Sequence, residues 1–238
     1  MSSAYTSLIL NIKRVSGNVI PYEYNYYVAL AFYTKLNRYN TEVRKLHDRD
    51  NISIHTFSNI ISQSFKFGTN GISLDNGFII FRSIDKRMES HLRLAIAEDP
   101  HLRICDATYL VRSIKNTEKP KPKDSYKFRT LSPVVVRDFE SRTKYVDSTE
   151  DLELNLRKSM TWVLENKLMH SPEKLDIKIF NGKRKTVRIS SQNKKEAITS
   201  GFNITGSIEA DPLTFELLYY KGLGSKTGLG LGCFEVDY

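Results

Sequence analysis

The chain has 238 residues, with 36 Lys and Arg against 27 Asp and Glu, a formal charge of +9. At 40% hydrophobic residues, including 12 Phe and 13 Tyr, it can bury a core of one large or two ordinary domains. Twelve glycines and seven prolines exclude collagen-like or linker-dominated chains, and no apolar run approaches the ~20 residues of a membrane span. The first ten residues lack the basic region of a signal peptide, and Cys105 and Cys233 have neither disulfide-framework nor zinc spacing. The expectation is a reduced, cytoplasmic protein without a membrane anchor.

The predicted elements begin with a strand over Leu8–Val15, ended by Ser16-Gly17-Asn18. Pro21 opens a helix running from about Glu23 to Leu36, with Val28, Phe32 and Leu36 along one face. A helical turn over Thr41–His47 leads to the polar cluster Asp48–Asn51. Strand material follows at Ile52–Ser58, Ile60–Phe67 and Gly77–Ser83, then a helix over Asp85–Ala97 and a strand near Ala107–Ile114. Residues 118–126 carry two prolines, no large apolar residue before Tyr126, and mostly charge, the composition of a linker. Beyond it come a strand over Phe128–Arg137 and an amphipathic helix over Thr149–Leu168, in which Trp162 reads as a core anchor. Leu175–Phe180 and Thr186–Ile189 alternate around Asn181-Gly182, a hairpin signal. A strand at Ala197–Ile208, a helix at Asp211–Tyr220 capped by Asp211-Pro212, and a strand at Gly230–Val236 complete the chain. The order β-α-β-β-α-β thus recurs. The predicted class is α+β, two tandem ferredoxin-like (RRM-like) domains over 1–117 and 127–238. Both cysteines read as small strand residues packed inside.

The positive surplus divides evenly, +5 through Pro120 and +4 beyond it. It concentrates in Lys178–Lys195, with seven basic and no acidic residues, and in Arg112–Arg129, with seven basic against Glu118 and Asp124. A solvated basic face explains such runs as well as a polyanion does, but two patches favour nucleic acid over a small phosphorylated metabolite. Five of the twelve glycines lie between Gly222 and Gly232. Ser225 interrupts the Gly-Lys-[Ser/Thr] of a P-loop, and Thr227 occupies the third glycine position of a dinucleotide fingerprint, so both are rejected. A flexible connection is one reading. The other is a backbone that approaches a bulky ligand and offers its N–H groups to phosphate, with Lys226 adding charge.

Several features together resemble a known family. They are Pro21-Tyr22 with Tyr26-Tyr27 opening the first helix, Tyr33 within it, Leu46-His47 after it, Thr130-Leu131-Ser132-Pro133 opening the second half, and the Gly-x-Gly-x-Lys-x-x-x-Gly-x-Gly of Gly222–Gly232. The chain resembles the CRISPR-associated endoribonucleases that cut a precursor transcript within each repeat to release guide RNAs. The resemblance implies a ferredoxin-fold RNA-binding protein that needs no metal or other cofactor. It implies attack by the 2′-hydroxyl on the adjacent phosphate, leaving a 2′,3′-cyclic phosphate and a 5′-hydroxyl, with His47 and Tyr33 as acid and base in either assignment. Some close members carry a lysine where this chain has Ser53. Arg44, Lys45 and Arg49 are candidates for the missing cation, Arg49 first. Expected RNA contacts are the glycine backbone at Gly222, Gly224, Gly228 and Gly230, Lys226, and Lys183, Arg184, Lys185 and Arg188. The implied partner is CRISPR repeat RNA in the precursor transcript, with the protein a monomer or homodimer. The competing readings are a non-catalytic repeat-RNA binder or effector-complex subunit, and an unrelated basic enzyme for phosphorylated metabolites.

Overall fold

A computed structural model describes residues 5–37, 53–141, 143–190 and 197–237. In the first half, β1 (Thr6–Ser16), α1 (Asn25–Leu36) and β2 (His55–Phe57) are followed by a small hairpin, β3 (Lys66–Gly68) and β4 (Gly71–Ser73). Then come β5 (Asn76–Ser83), α2 (Arg87–Glu98), β6 (His101–Ile104) and β7 (Ala107–Asn116). The antiparallel sheet has the order β2-β5-β1-β7-β6. Along β1, Leu8, Leu10 and Ile12 alternate into the core and meet Val28, Phe32 and Leu36 of α1 and Leu92 and Ile96 of α2. The expected stripe on the first helix is therefore its buried face. Each such Leu, Ile or Phe contributes roughly 1.5–3 kcal/mol by leaving water. The far end of α1 is pinned by Lys35, whose buried Nζ donates to the Asp99 backbone oxygen and carboxylate at 2.5 Å each.

In the second half, β8 (Tyr126–Thr130), α3 (Leu152–Lys167), β9 (Leu175–Ser190), β10 (Ala197–Ala210), α4 (Pro212–Lys221) and β11 (Phe234–Val236) form a sheet of order β11-β8-β10-β9. This is the order of the first sheet without its added β6 strand, so the fold is two ferredoxin-like units in tandem. Leu152, Leu156, Met160 and Leu164 place α3 on one face of this sheet, beside Phe215 and Leu218 of α4. The predicted cap of α4 is present: the Asp211 carboxylate accepts the Thr214 N–H at 2.9 Å, and Pro212 occupies the first turn.

Several expectations are corrected. Asn181-Gly182 makes no turn; it lies inside the 16-residue β9, paired with Thr205 and Ile204. A Cβ at Gly182 would sit 3.2 Å from Thr149 Cγ2, so this glycine serves close packing rather than chain reversal. Phe180 is the extra residue of a bulge and remains exposed. Trp162 is only partly buried, because the i, i+4 row from Leu152 to Leu164 takes the core face. Neither cysteine is in a strand: Cys105 sits half-buried in a turn with φ of 54°, and Cys233 is buried as expected but just ahead of β11. The predicted strand at Ile60–Phe67 reduces to one bridge at Ile61 and the short β3, and β6 had no expectation attached. Phe128–Arg137 is a strand only to Thr130, followed by single bridges at Val134, Val135 and Arg137. The last strand begins at Phe234, four residues later than expected, because Gly230 and Gly232 adopt left-handed conformations.

The two sheets are locked by Arg82 of β5. It is 2% exposed, with its guanidinium 3.8 Å from the Tyr219 ring centroid, donating to the Phe234 carbonyl and to Ser7 Oγ. The segment between the sheets is anchored as well, with Pro120 buried and Lys119 paired with Glu216.

Candidate active site and nucleic-acid interface

The glycine-rich segment closes the seam between the two units. A short 3-10 turn at Thr227–Leu229 packs against α1 and β2. Thr56 Oγ1 donates to the Leu231 carbonyl at 3.0 Å, and Asn25 Nδ2 donates to the Gly230 carbonyl at 3.0 Å. Gly230 has φ of +72°, and a Cβ there would run into the Phe57 ring. A Cβ at Gly228 would lie 2.5 Å from Tyr33 Oη and 2.6 Å from Ser53 Oγ. A side chain at Gly230 is opposed both by its backbone angle and by the Phe57 contact, and one at Gly228 by proximity alone. Gly222 and Gly224 are buried against Thr56 and Val135. Lys226 is the one exposed residue between Gly222 and Gly232.

Tyr33 lies on the buried side of α1, 9% exposed, with its hydroxyl 3.3 Å from His55 Nε2. Burial pushes its phenol well above the ordinary tyrosine value, so it keeps its proton at neutral pH. His55 is 2% exposed, stacked on Phe81 with ring centroids 5.7 Å apart and edge-on to Tyr33 at 5.6 Å. The structure thus brings Tyr33, Gly228 and Ser53 together. His47 and Arg49, like Arg44 and Lys45, lie outside the described residues.

The basic residues of β9 divide. Lys183, Arg184 and Lys185 are exposed, and Arg184 Nε donates to Ser200 Oγ at 2.9 Å. Arg188 turns inward, its Nη1 3.3 Å from Tyr27 Oη, so the basic strand reaches α1, the helix that carries Tyr33. In β8, Tyr126 and Phe128 enter the core while Lys127 and Arg129 project from the opposite, helix-free face of the second sheet. That alternation is legible in the sequence, where both residues belong to the Arg112–Arg129 charge run. The sequence leaves His55 facing either the core or the RNA, and the structure buries it beside Tyr33; Lys221 carries no expectation. A lysine ending a helix ordinarily faces solvent, yet Lys221 is 2% exposed. Among the described residues, no group of three His, Cys, Asp or Glu side chains could hold a metal ion, and no helix is long and apolar enough to cross a membrane.

Two ferredoxin-like units, sealed by a glycine-rich segment and flanked by a basic strand, define a tandem ferredoxin-fold architecture with one composite seam. The sequence model of the N-terminal part of the CRISPR-associated protein Cas6 matches residues 19–115, and that of its C-terminal part matches residues 116–236. The chain belongs to the Cas6 family. It is 29% identical to a CRISPR-associated endoribonuclease-like protein Cas6 of Pyrococcus furiosus, over 92% of each chain. It is 23% identical to the CRISPR-associated endoribonuclease Cas6 1 of Methanocaldococcus jannaschii, over 94% of this chain and 89% of that one. Among solved structures, a Cas6-related protein from Pyrococcus furiosus is similar with a TM-score of 0.84 at 25% identity, covering 98% of each chain.

Proposed function

We propose that this chain is an endoribonuclease that cleaves CRISPR repeat RNA in a precursor transcript, without a metal ion. The observation that carries the reading is the placement of Tyr33 under Gly228, at the seam of two domains that both match the family. In the proposed step, the 2′-oxygen forms a bond to the adjacent phosphorus as the bond from phosphorus to the 5′-oxygen breaks. One proton leaves the 2′-hydroxyl and one reaches the departing 5′-oxygen, giving a cyclic phosphate and a free 5′-hydroxyl. A phenol that keeps its proton at neutral pH can donate to the phosphate or the leaving oxygen, and on this reading the base is His47. Arg49 supplies positive charge to the phosphorane.

Affinity comes from Lys226, Lys183, Arg184, Lys185 and Arg188, extended by Lys127 and Arg129. Gly222, Gly224, Gly228 and Gly230 shape the seam against which the RNA lies. Ser53 favours a second reading, a repeat-RNA binder that does not cut, because it lines the position next to Gly228 and carries no charge.

End-labelled repeat RNA incubated with the protein in EDTA should yield a cyclic-phosphate product. His47→Ala should lose roughly 10²–10⁴ in rate while retaining binding. Tight binding with intact RNA under single-turnover conditions supports the second reading instead. In either case log affinity should fall with log salt, and each of Lys183→Ala and Lys185→Ala should reduce that slope by about 0.7.

A further inference from the structure

His55 has no role in the chemistry above, yet its imidazole is fixed from three sides. Its backbone pairs with Ser83 in the β2–β5 ladder, its ring stacks on Phe81, and its Nε2 stands 3.3 Å from Tyr33 Oη. Gly228 lies against the same hydroxyl, so close that an added Cβ would come within 2.5 Å of it. The Tyr33 hydroxyl therefore touches both an imidazole carried by β2 and the glycine-rich segment.

We propose that His55 is a positioning residue for Tyr33. Its Nε2–H donates to the phenol oxygen, which leaves the phenol's own proton aimed out of the pair and toward the RNA. A lone hydroxyl on a ring that can rotate about its last bond points in many directions; one accepting a fixed hydrogen bond points in few. The inference rests on the reading of Tyr33 as a proton donor, and the experiment separates the two.

His55→Phe keeps the ring volume and the stack on Phe81 but removes the donor. Its repeat-RNA Kd should match the wild type, while its single-turnover rate falls about 10- to 100-fold, the cost expected of a misdirected reacting group. His55→Gln, which restores an N–H near the same place, should recover most of that loss. Tyr33→Phe should be at least as slow as His55→Phe, and the double variant no slower than Tyr33→Phe alone, because one residue acts through the other. A wild-type rate for His55→Phe, alongside an impaired Tyr33→Phe, overturns the assignment of His55 and leaves Tyr33 standing. A wild-type rate for Tyr33→Phe, or a chain that never cuts, overturns both. Should His55→Phe fail to fold, the ¹⁵N resonance of His55 Nε2 decides: it should move between wild type and Tyr33→Phe, and an unmoved signal refutes the hydrogen bond.

Discussion

Replacing Lys221 with methionine should make the protein more stable at neutral pH and remove a pH dependence that the wild type carries. Lys221 ends α4, and its Nζ lies 3.4 Å from the carbonyl oxygens of Gly222 and Gly224, contacts too long to repay the loss of water around an ammonium. Burial lowers its pKa from 10.5 to about 8. In the unfolded chain the lysine holds its proton to higher pH, so between about 8 and 10.5 the unfolded state binds more protons and stability rises with pH. Fully titrated, the gap amounts to roughly 3 kcal/mol, and between pH 7 and 9.5 to about 2 kcal/mol. Burial raises the Cys233 thiol and the Tyr33 phenol, which titrate with the opposite sign at the alkaline end, so the comparison is made between proteins rather than between pH values alone. Urea unfolding of wild type and Lys221→Met at both pH values measures it. The wild type should gain about 2 kcal/mol relative to the variant on going to pH 9.5. Parallel pH dependences would refute the claim that a buried, titrating ammonium sits behind the glycine-rich segment.

Three further outcomes follow from the seam. Gly230→Ala must fit a Cβ against Phe57 at a left-handed backbone angle, and should lose about 1–3 kcal/mol of stability in the same unfolding assay; Gly228→Ala presses instead on Tyr33 Oη and Ser53 Oγ, and should lower the cleavage rate more than the stability. Arg82→Ala removes a guanidinium buried between the domains, leaves the Phe234 carbonyl without that donor, and should cost about 2–4 kcal/mol, read by unfolding together with faster proteolysis between Thr117 and Ser125.

The repeated β-α-β-β-α-β order was legible because it is written in short-range patterns. The alternation of Leu8, Leu10 and Ile12, the four-residue spacing of Val28, Phe32 and Leu36, and the Asp211-Pro212 cap are local properties of the chain, and each appears in the folded protein. Where local signals competed, they misled. Asn181-Gly182 has turn chemistry, but Gly182 packs closely against Thr149, and the pairing of β9 with β10 runs straight through it. Trp162 has the composition of a core residue, but Leu152, Leu156, Met160 and Leu164 fill the face that α3 presents to the sheet.

The charge surplus and the glycine cluster were visible in the sequence and pointed to RNA, and the family emerged once the Tyr33, Leu46-His47 and Thr130–Pro133 motifs stood beside them. Their geometry was not visible. That the glycines press on Tyr33 and Phe57, that Arg188 reaches Tyr27, and that Arg82 is buried against Ser7 and Phe234 all depend on contacts between residues 50 to 200 positions apart. Sequence periodicity reports which face of an element is apolar, and nothing about which other element covers it. Composition and local pattern therefore determined the two units and pointed to a polyanion as partner. Only the packing of one unit against the other decided which tyrosine, histidine and glycine meet at the seam.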